Sequence, residues 1–369
     1  LKITDLTLRT VDMTMKFPFE TSVGITDTRE ILLIEVTDGE YVGYGECVAD
    51  IDPYYSEETV ETAIHIIKDF IIPRLKGASI QHPSDISSLL APIRRHQMAK
   101  GGVDCALWDL YAKQQAKSLS EVLGGTKTEV PVGISIGIQK DVETLIEKIN
   151  VYVNEGYQKI KIKIKPGFDY EILKQVREAF PAVSIMADAN SAFTLQDLEL
   201  FKKMDTLNLL MIEQPLAHDD IVDHSKLQAA IQTPVCLDES IHSFEDARKA
   251  IELGSCKTIN IKIGRVGGLF EAKQIHDLCA ENNIPVWCGG MFETGIGRAH
   301  NVAISSLHNF SIPGDTAPSA RYWDKDIIEP EITMSEAGTV AVPTEQGIGV
   351  TVDQTHVDSI TKRLETFSM

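Results

Sequence analysis

Five short apolar runs between Ile160 and Lys262 each end in a charged residue, and they recur at a nearly constant interval. They are Ile160-Lys161-Ile162-Lys163, Ile185-Met186-Ala187-Asp188, Leu210-Met211-Ile212-Glu213, Val235-Cys236-Leu237-Asp238 and Ile259-Asn260-Ile261-Lys262. Their charged ends fall at 163, 188, 213, 238 and 262, in steps of 25, 25, 25 and 24 residues. A short apolar run between helix-like segments has the pattern of a buried parallel strand. A repeat near 25 residues fits one strand plus one helix. All five charged ends then emerge on one rim of one parallel sheet, and in a closed α/β barrel that rim carries the chemistry.

The flanks set the domain plan. At 369 residues the chain exceeds the roughly 250 of an ordinary α/β barrel, so a second, smaller domain is expected. Residues 1–50 read as an antiparallel sheet, with Asp38-Gly39 as the turn between strands at 31–36 and 41–47. Phe17 to Gly24 fits neither strand nor helix and reads as a hairpin loop or a substrate-covering loop. A second irregular stretch, Asp50 to Tyr55, leads to Ser56 as a helix cap. Helices are expected at 57–72, 85–95 and 98–116, completing an α+β unit over 1–125. From Val130, strands at 130–137, 159–164, 183–188, 208–213, 234–238, 258–263, 285–289 and 310–313 alternate with helices. The fold class is α/β, a TIM-type (β/α) barrel over 126–320. An open doubly wound sheet would need a glycine-rich phosphate turn after its first strand, which Gly133-Ile134-Ser135-Ile136-Gly137 does not supply. Residues 321–369 read as a segment returning to the first domain, with strands and a final helix over 326–369.

A formal net charge of −19 argues against nucleic acid or an anionic membrane as partner. Six cysteines without CxxC spacing read as free, buried thiols in a reducing compartment, and no stretch reaches 18 uninterrupted apolar residues. The expectation is a cytoplasmic homo-oligomer acting on a small carboxylate, without nucleic acid or membrane partners.

Asp188, Glu213 and Asp238 end three successive strands and would repel one another without a cation between them. Hard oxygen ligands suit Mg²⁺, with Mn²⁺ as a substitute, whereas no His or Cys pair has soft-metal spacing. Lys161 and Lys163 alternate with isoleucines, so both point to one face of a strand, about 6.6 Å apart. Parity puts them inside the barrel rather than on a lysine-protected edge strand. Buried ammonium groups that close repel each other, which makes one of them an easier proton acceptor. The one nearer the rim, Lys163, is assigned as general base, with Lys161 as its electrostatic tuner. Lys159 and Lys165 share that parity, would overcrowd the barrel, and are expected in solvent beyond the strand ends. Lys262 ends a strand four positions around the ring and would face Lys163 across the mouth. Two lysines on opposite faces of a molecule, beside a metal, suit removal and return of a proton α to a carboxylate.

These residues bring the chain to a known family. It resembles the enolase superfamily, muconate-lactonising subgroup, and within it the o-succinylbenzoate synthase/N-acylamino acid racemase family. The stretches that carry the likeness are Lys161-Ile162-Lys163, Met186-Ala187-Asp188-Ala189-Asn190, Ile212-Glu213-Gln214-Pro215 and Leu237-Asp238-Glu239-Ser240. Further on are Asn260-Ile261-Lys262 with Arg265-Val266-Gly267-Gly268, and Trp287-Cys288-Gly289-Gly290-Met291-Phe292-Glu293-Thr294-Gly295. The resemblance implies that residues 1–125 cap the barrel, that Asp188, Glu213 and Asp238 bind Mg²⁺, and that Lys163 and Lys262 are the acid/base pair. It also implies substrate contacts from Ser135, Asn190, Arg265 and the Gly290-Met291 backbone, with the 17–24 and 50–55 loops closing the site through Phe19 and Tyr54. The implied activity is o-succinylbenzoate synthesis, a dehydration on the way to menaquinone, with racemisation of N-succinylamino acids as a second activity. N-acylamino acid racemisation or dipeptide epimerisation as the main activity is the alternative. One departure is Ile263-Gly264 after the last lysine, where family members often carry Pro-Ser.

Three further readings complete the analysis. Arg265, three residues beyond Lys262, is expected to lower the pKa of that amine by like-charge proximity. Gly295-Ile296-Gly297-Arg298 follows the seventh strand and reads as a loop entering a helix rather than a dinucleotide turn, and His300 as a packed or exposed residue rather than a ligand. A non-catalytic metal-binding barrel has no reason to keep lysines on both sides of the metal, and a nicotinamide oxidoreductase would bind a nucleotide.

Overall fold

A computed structural model describes residues 1–22 and 24–369; Val23, in the 17–24 stretch, lies outside the described residues. The N-terminal sheet contains β1 (Asp5–Glu20), β2 (Ile25–Thr37) and β3 (Val42–Cys47), all antiparallel. The Asp38-Gly39 turn forms as read: Asp38 Oδ1 accepts from Glu40 N at 2.9 Å and Tyr41 N at 2.8 Å. The stretch read as irregular is so only in part: Thr21, Ser22 and Gly24 lie in the hairpin loop between β1 and β2. Residues 17–20 belong to β1, and pairing slips after Thr14 but resumes at Phe19 opposite Thr26. The reason is burial: Phe19 packs edge-on to Phe292 at 4.9 Å, while its neighbour Phe17 faces solvent. The helix Gln97–Gln114 lies against this sheet. Gly43 and Gly45 permit that approach, since a Cβ at either would stand 2.2 Å or less from a helix carbonyl.

β4 (Glu129–Pro131) leads into the barrel. Its parallel strands are β5 (Gly133–Ile136), β6 (Lys159–Lys163), β7 (Ile185–Asp188), β8 (Ile212–Glu213), β9 (Val235–Leu237), β10 (Thr258–Ile261) and β11 (Val286–Cys288). They pair in sequence order, each followed by a helix, as a right-handed β/α ring requires. The expected eighth strand is an irregular segment that joins both edges. Phe310 bridges to Val286, Gly314 bridges to Val132, and Gly314 O accepts from Gly133 N at 2.7 Å.

The period-2 alternation of each run decides which side chain goes where. Ile160, Ile162, Ile185, Ala187, Ile212, Val235, Leu237, Ile259 and Ile261 join the large core that packs against the outer helices. Met186, Met211, Cys236 and Trp287 form a separate small cluster, the apolar layer inside the ring. Residues of the same parity at the strand tips are the charged ones.

The C-terminal part holds β12 (Ile328–Glu329), β13 (Thr339–Ala341) and β14 (Thr351–Val352), with β12 on β14 and β13 on β4. The expected final helix is Gln354–Ile360, but it is followed by a strand that was not expected, β15 (Thr361–Ser368). β15 returns to the first domain by pairing antiparallel with β1, Ser368 opposite Asp5. Strict in–out alternation along 361–368 suits a sheet edge and not a helical face. All six cysteines are free and buried, and no helix among the described residues is long and apolar enough to cross a membrane.

Candidate active site

Sheet register brings the sequence-predicted charges into one layer. Lys163 stands opposite Asp188 and Asp188 opposite Glu213, while Asp238 and Lys262 follow β9 and β10 by one residue. All five side chains are buried. Lys163 Nζ donates to Asp188 Oδ2 at 2.6 Å and to Asn190 Oδ1 at 2.7 Å. Lys262 Nζ lies 2.9 Å from Asp238 Oδ2. The two lysines flank the carboxylate row from opposite ends, one held at Asp188 and the other at Asp238.

Lys161 is placed inside the ring as parity predicts, but its partners differ from the expected tuning role. Its Nζ sits 2.9 Å from Asp188 Oδ2, 2.7 Å from Glu213 Oε2 and 3.4 Å from Asp315 Oδ2. Asp188 therefore lies between the two ammonium groups and attracts both, so direct repulsion of Lys163 by Lys161 does not dominate. Burial disfavours the Lys161 charge, yet Asp188, Glu213 and Asp315 outweigh it and raise its pKa. Burial pushes the Glu213 carboxyl up to about 8, Asp188 adding to the rise and Lys161 opposing it.

Lys159 is corrected. It is fully buried, with Nζ 3.5 Å from the centre of the Trp287 ring and 3.3 Å from Asp315 Oδ1. Room for it comes from Gly133 on the neighbouring strand, where a Cβ would stand 2.5 Å from Lys159 Cε. An aromatic face and a carboxylate together make the buried ammonium tolerable. Lys165 is half-exposed past the strand end, as expected, and lies 3.2 Å from Glu20 Oε1.

Arg265 lines the cavity over the site but is not free to tune Lys262 alone. Its guanidinium pairs with Asp238 and donates to the carbonyls of Ile241 at 2.7 Å and Asn260 at 2.5 Å. Burial opposes the Lys262 charge but Asp238 outweighs it, and the net shift is upward rather than the expected downward one. Ile263-Gly264 begins a helical turn, Ile263–Val266, and Gly264 packs on Val48, which a Cβ would meet at 2.4 Å.

The remaining candidates divide. Asn190 joins the site through Lys163 and donates from Nδ2 to Glu239 Oε1 at 2.8 Å. Ser135 Oγ is buried without a hydrogen bond among the described residues. Gly290 and Met291 follow β11, and Met291 lines a small buried space beside Lys262. Phe19 is buried against Phe292. Tyr54 is 70% exposed and lines the cavity over the site, and its neighbour Tyr55 reaches the charged layer: its hydroxyl accepts from Lys262 Nζ at 2.8 Å and donates to Asp238 Oδ1 at 3.0 Å. Sequence reasoning missed Tyr55, Glu239, Asn260 and Asp315. Asn260 shares the parity of Lys262 and donates to Glu213 Oε1 at 2.6 Å, so parity could have found it. Glu239 adjoins a strand tip; Tyr55 carries no periodic signal.

A cavity of about 850 Å³ opens over this layer, lined among others by Ser22, Tyr55, Arg95, Asn190, Glu239 and Arg265. Arg95 makes no hydrogen bond or ion pair among the described residues and holds a left-handed backbone with φ 56°. Gly295–Arg298 opens the helix Gly295–Ser305, capped by Thr294, as read; His300 is buried between the carbonyls of Ile296 and Cys105.

Among the described residues no three His, Cys, Asp or Glu side chains stand ready-gathered for a metal ion. The reason is visible: Lys161 lies between Asp188 and Glu213, and Lys262 with Arg265 engages Asp238. The donor chemistry nonetheless fits a hard dication. Among the described residues Oε2 of Glu213 and Oδ2 of Asp238 make no hydrogen bond, only these ion pairs, so both can turn to a metal while Lys161 keeps Asp188 and Asp315 and Lys262 keeps Tyr55.

A β/α barrel with acids and amines at its strand tips under an α+β cap is an enolase-type enzyme architecture. Residues 3–124 match the mandelate racemase / muconate lactonizing enzyme N-terminal domain, and residues 144–356 the enolase C-terminal domain-like family. The chain is 53% identical over 361 residues to an o-succinylbenzoate synthase of Geobacillus kaustophilus, covering 98% of this chain and 96% of the relative. It is 44% identical over 361 residues to an N-succinylamino acid racemase of Thermus thermophilus, covering 98% of each. A crystal structure of an enolase-superfamily member from Listeria innocua superposes with a TM-score of 0.97 at 42% identity, covering 100% of this chain and 99% of that one. The chain belongs to the enolase superfamily, with the N-terminal domain of the mandelate racemase and muconate lactonizing enzymes.

Proposed function

We propose that this enzyme is an o-succinylbenzoate synthase that also racemises N-succinylamino acids. The observation that carries the reading is the pair Lys163 and Lys262, held at opposite ends of one row of buried carboxylates. Asp188, Glu213 and Asp238 would hold Mg²⁺, with Mn²⁺ as a substitute, and the bound ion supplies positive charge for a substrate carboxylate as it becomes an enediolate. Lys163 removes the proton α to that carboxylate, and Asn190 Oδ1 orients the amine toward it. In the dehydration hydroxide then leaves, and Lys262 stays protonated as an electrostatic stabiliser. In racemisation Lys262 delivers a proton to the opposite face and, in the reverse sense, takes one.

The charge balance points to an anionic substrate. Lys159, Lys161, Lys163, Lys262 and Arg265 face Asp188, Glu213, Asp238, Glu239 and Asp315, five cations against five carboxyl groups, all buried. A bound dication would hold all five carboxyls ionised, Glu213 included, so that the set itself is neutral and the dication is matched by a dianion; the unpaired Arg95 at the cavity wall suits the second carboxylate of a succinyl group. We also propose the division into a capping domain at 1–125, a barrel at 126–320 and a returning segment at 321–369.

The test is kinetics on the dehydration substrate and on N-succinylamino acids side by side, before and after EDTA. Both activities should vanish with EDTA and return with Mg²⁺. Dipeptide epimerisation in the absence of both would overturn the assignment.

A further inference from the structure

The two amines of the site are held differently. Lys163 is fixed by barrel residues alone, Asp188 and Asn190. Lys262 takes a hydrogen bond partner from outside the barrel: Tyr55, whose ring also covers the amine at 4.5 Å. Tyr55 belongs to a segment of the N-terminal domain that is otherwise largely exposed, with Ile51 56% and Tyr54 70% exposed and Tyr54 at the cavity wall. Both ends of the segment are pinned. At its start Asp50 Oδ2 lies 2.7 Å from Arg29 Nη1, and Asp50 O accepts from Val60 N at 2.9 Å. At its end the Glu58 carboxylate accepts from Met98 N at 2.8 Å and Ala99 N at 2.9 Å, the free N–H groups opening the helix Gln97–Gln114. Between the pins, Tyr55 turns inward.

An ammonium on a four-carbon stem has three rotatable donors and no preferred direction unless its partners set one. A tyrosine hydroxyl can accept one hydrogen bond and donate one, and Tyr55 does both, to Lys262 and to Asp238. We propose that Tyr55 is a positioning residue for Lys262, delivered by the 51–57 segment, and that it controls the chemistry on one face of the substrate only. The proposal rests on the reading of Lys163 and Lys262 as the opposed acid/base pair. Loss of the hydroxyl frees Lys262 to swing while leaving every contact of Lys163 in place.

The experiment uses the full-length Mg²⁺-loaded enzyme and follows exchange of the α-proton in D₂O by NMR, separately for the two enantiomers of one N-succinylamino acid. Lys163→Ala and Lys262→Ala first establish which enantiomer each amine deprotonates. Tyr55→Phe should then slow exchange of the Lys262-dependent enantiomer by roughly 10- to 100-fold, and leave the other within about 3-fold. Equal loss for both enantiomers, or loss for neither, would overturn the proposal. If the two alanine variants do not divide by enantiomer, the assignment of the amines fails first and takes the proposal with it, a result distinguishable from a failure of Tyr55 alone.

Discussion

Replacing Glu46 by glutamine probes how the N-terminal domain is joined to the loop after β11. Glu46, near the end of β3, is buried and reaches across to the first turn of the helix Gly295–Ser305. It accepts from Thr294 Oγ1 at 2.6 Å, Thr294 N at 3.2 Å and Gly297 N at 3.1 Å, and so steadies the segment that carries Gly290 and Met291. Burial pushes its carboxyl from an ordinary 4.5 up to about 8, Thr294 and Gly297 pulling the other way and Glu293 adding to the rise. A carboxyl with a raised folded pKa keeps its proton in the native state where the unfolded chain has lost it. Its contribution to stability is complete below the unfolded value and is lost as pH rises through the folded one. From 4.5 to about 8, at about 1.36 kcal/mol per pH unit, the loss amounts to at most roughly 5 kcal/mol. Between pH 5.5 and 7.5 it is at most about 3 kcal/mol. The Glu46→Gln variant does not titrate there, so its unfolding free energy minus that of the parent should rise, becoming more positive with pH, by up to that amount. Urea denaturation followed by tryptophan fluorescence at pH 5.5, 6.5 and 7.5 measures it, because all other titrations cancel in the difference. A gap that stays constant would refute the reasoning. A difference that falls as pH rises would show that the helix N-terminus outweighs desolvation and holds the carboxylate ionised.

Two further outcomes follow from the ion pairs inside the ring. Lys159→Met removes the ammonium from between Trp287 and Asp315, and leaving that buried carboxylate short of a partner should cost about 3–5 kcal/mol in urea denaturation. Asp315→Asn in the same chain should recover part of it, and a single-variant loss under about 1 kcal/mol would show that the pair does not hold the layer. Arg265→Gln leaves the charge of Asp238 to Lys262 alone, so Lys262 keeps its proton more tightly. Racemisation, which needs that proton released, should then fall further than dehydration, which does not; equal losses in the two assays would refute the account.

The sequence by itself determined the barrel and the face of each strand. Period-2 alternation sends Ile160 and Ile162 outward and Lys161 and Lys163 inward whatever the rest of the chain does. The recurrence near 25 residues puts Asp188, Glu213, Asp238 and Lys262 on one rim for the same local reason. What escaped the sequence depends on groups far apart in the chain. Lys159 stays inside because Gly133 leaves space and Asp315, from the closing segment, supplies the opposite charge. Phe19 becomes strand because Phe292 waits to bury it, and residues 361–368 become strand because β1 offers an open edge. Tyr55 rather than Tyr54 reaches Lys262 because a loop without periodicity is shaped by its two pinned ends, Asp50 and Glu58. Alternation is a property of the backbone over a few residues and can be read locally. Which buried charges find partners is settled only when distant strands and loops close around them, so tertiary structure alone decided those contacts.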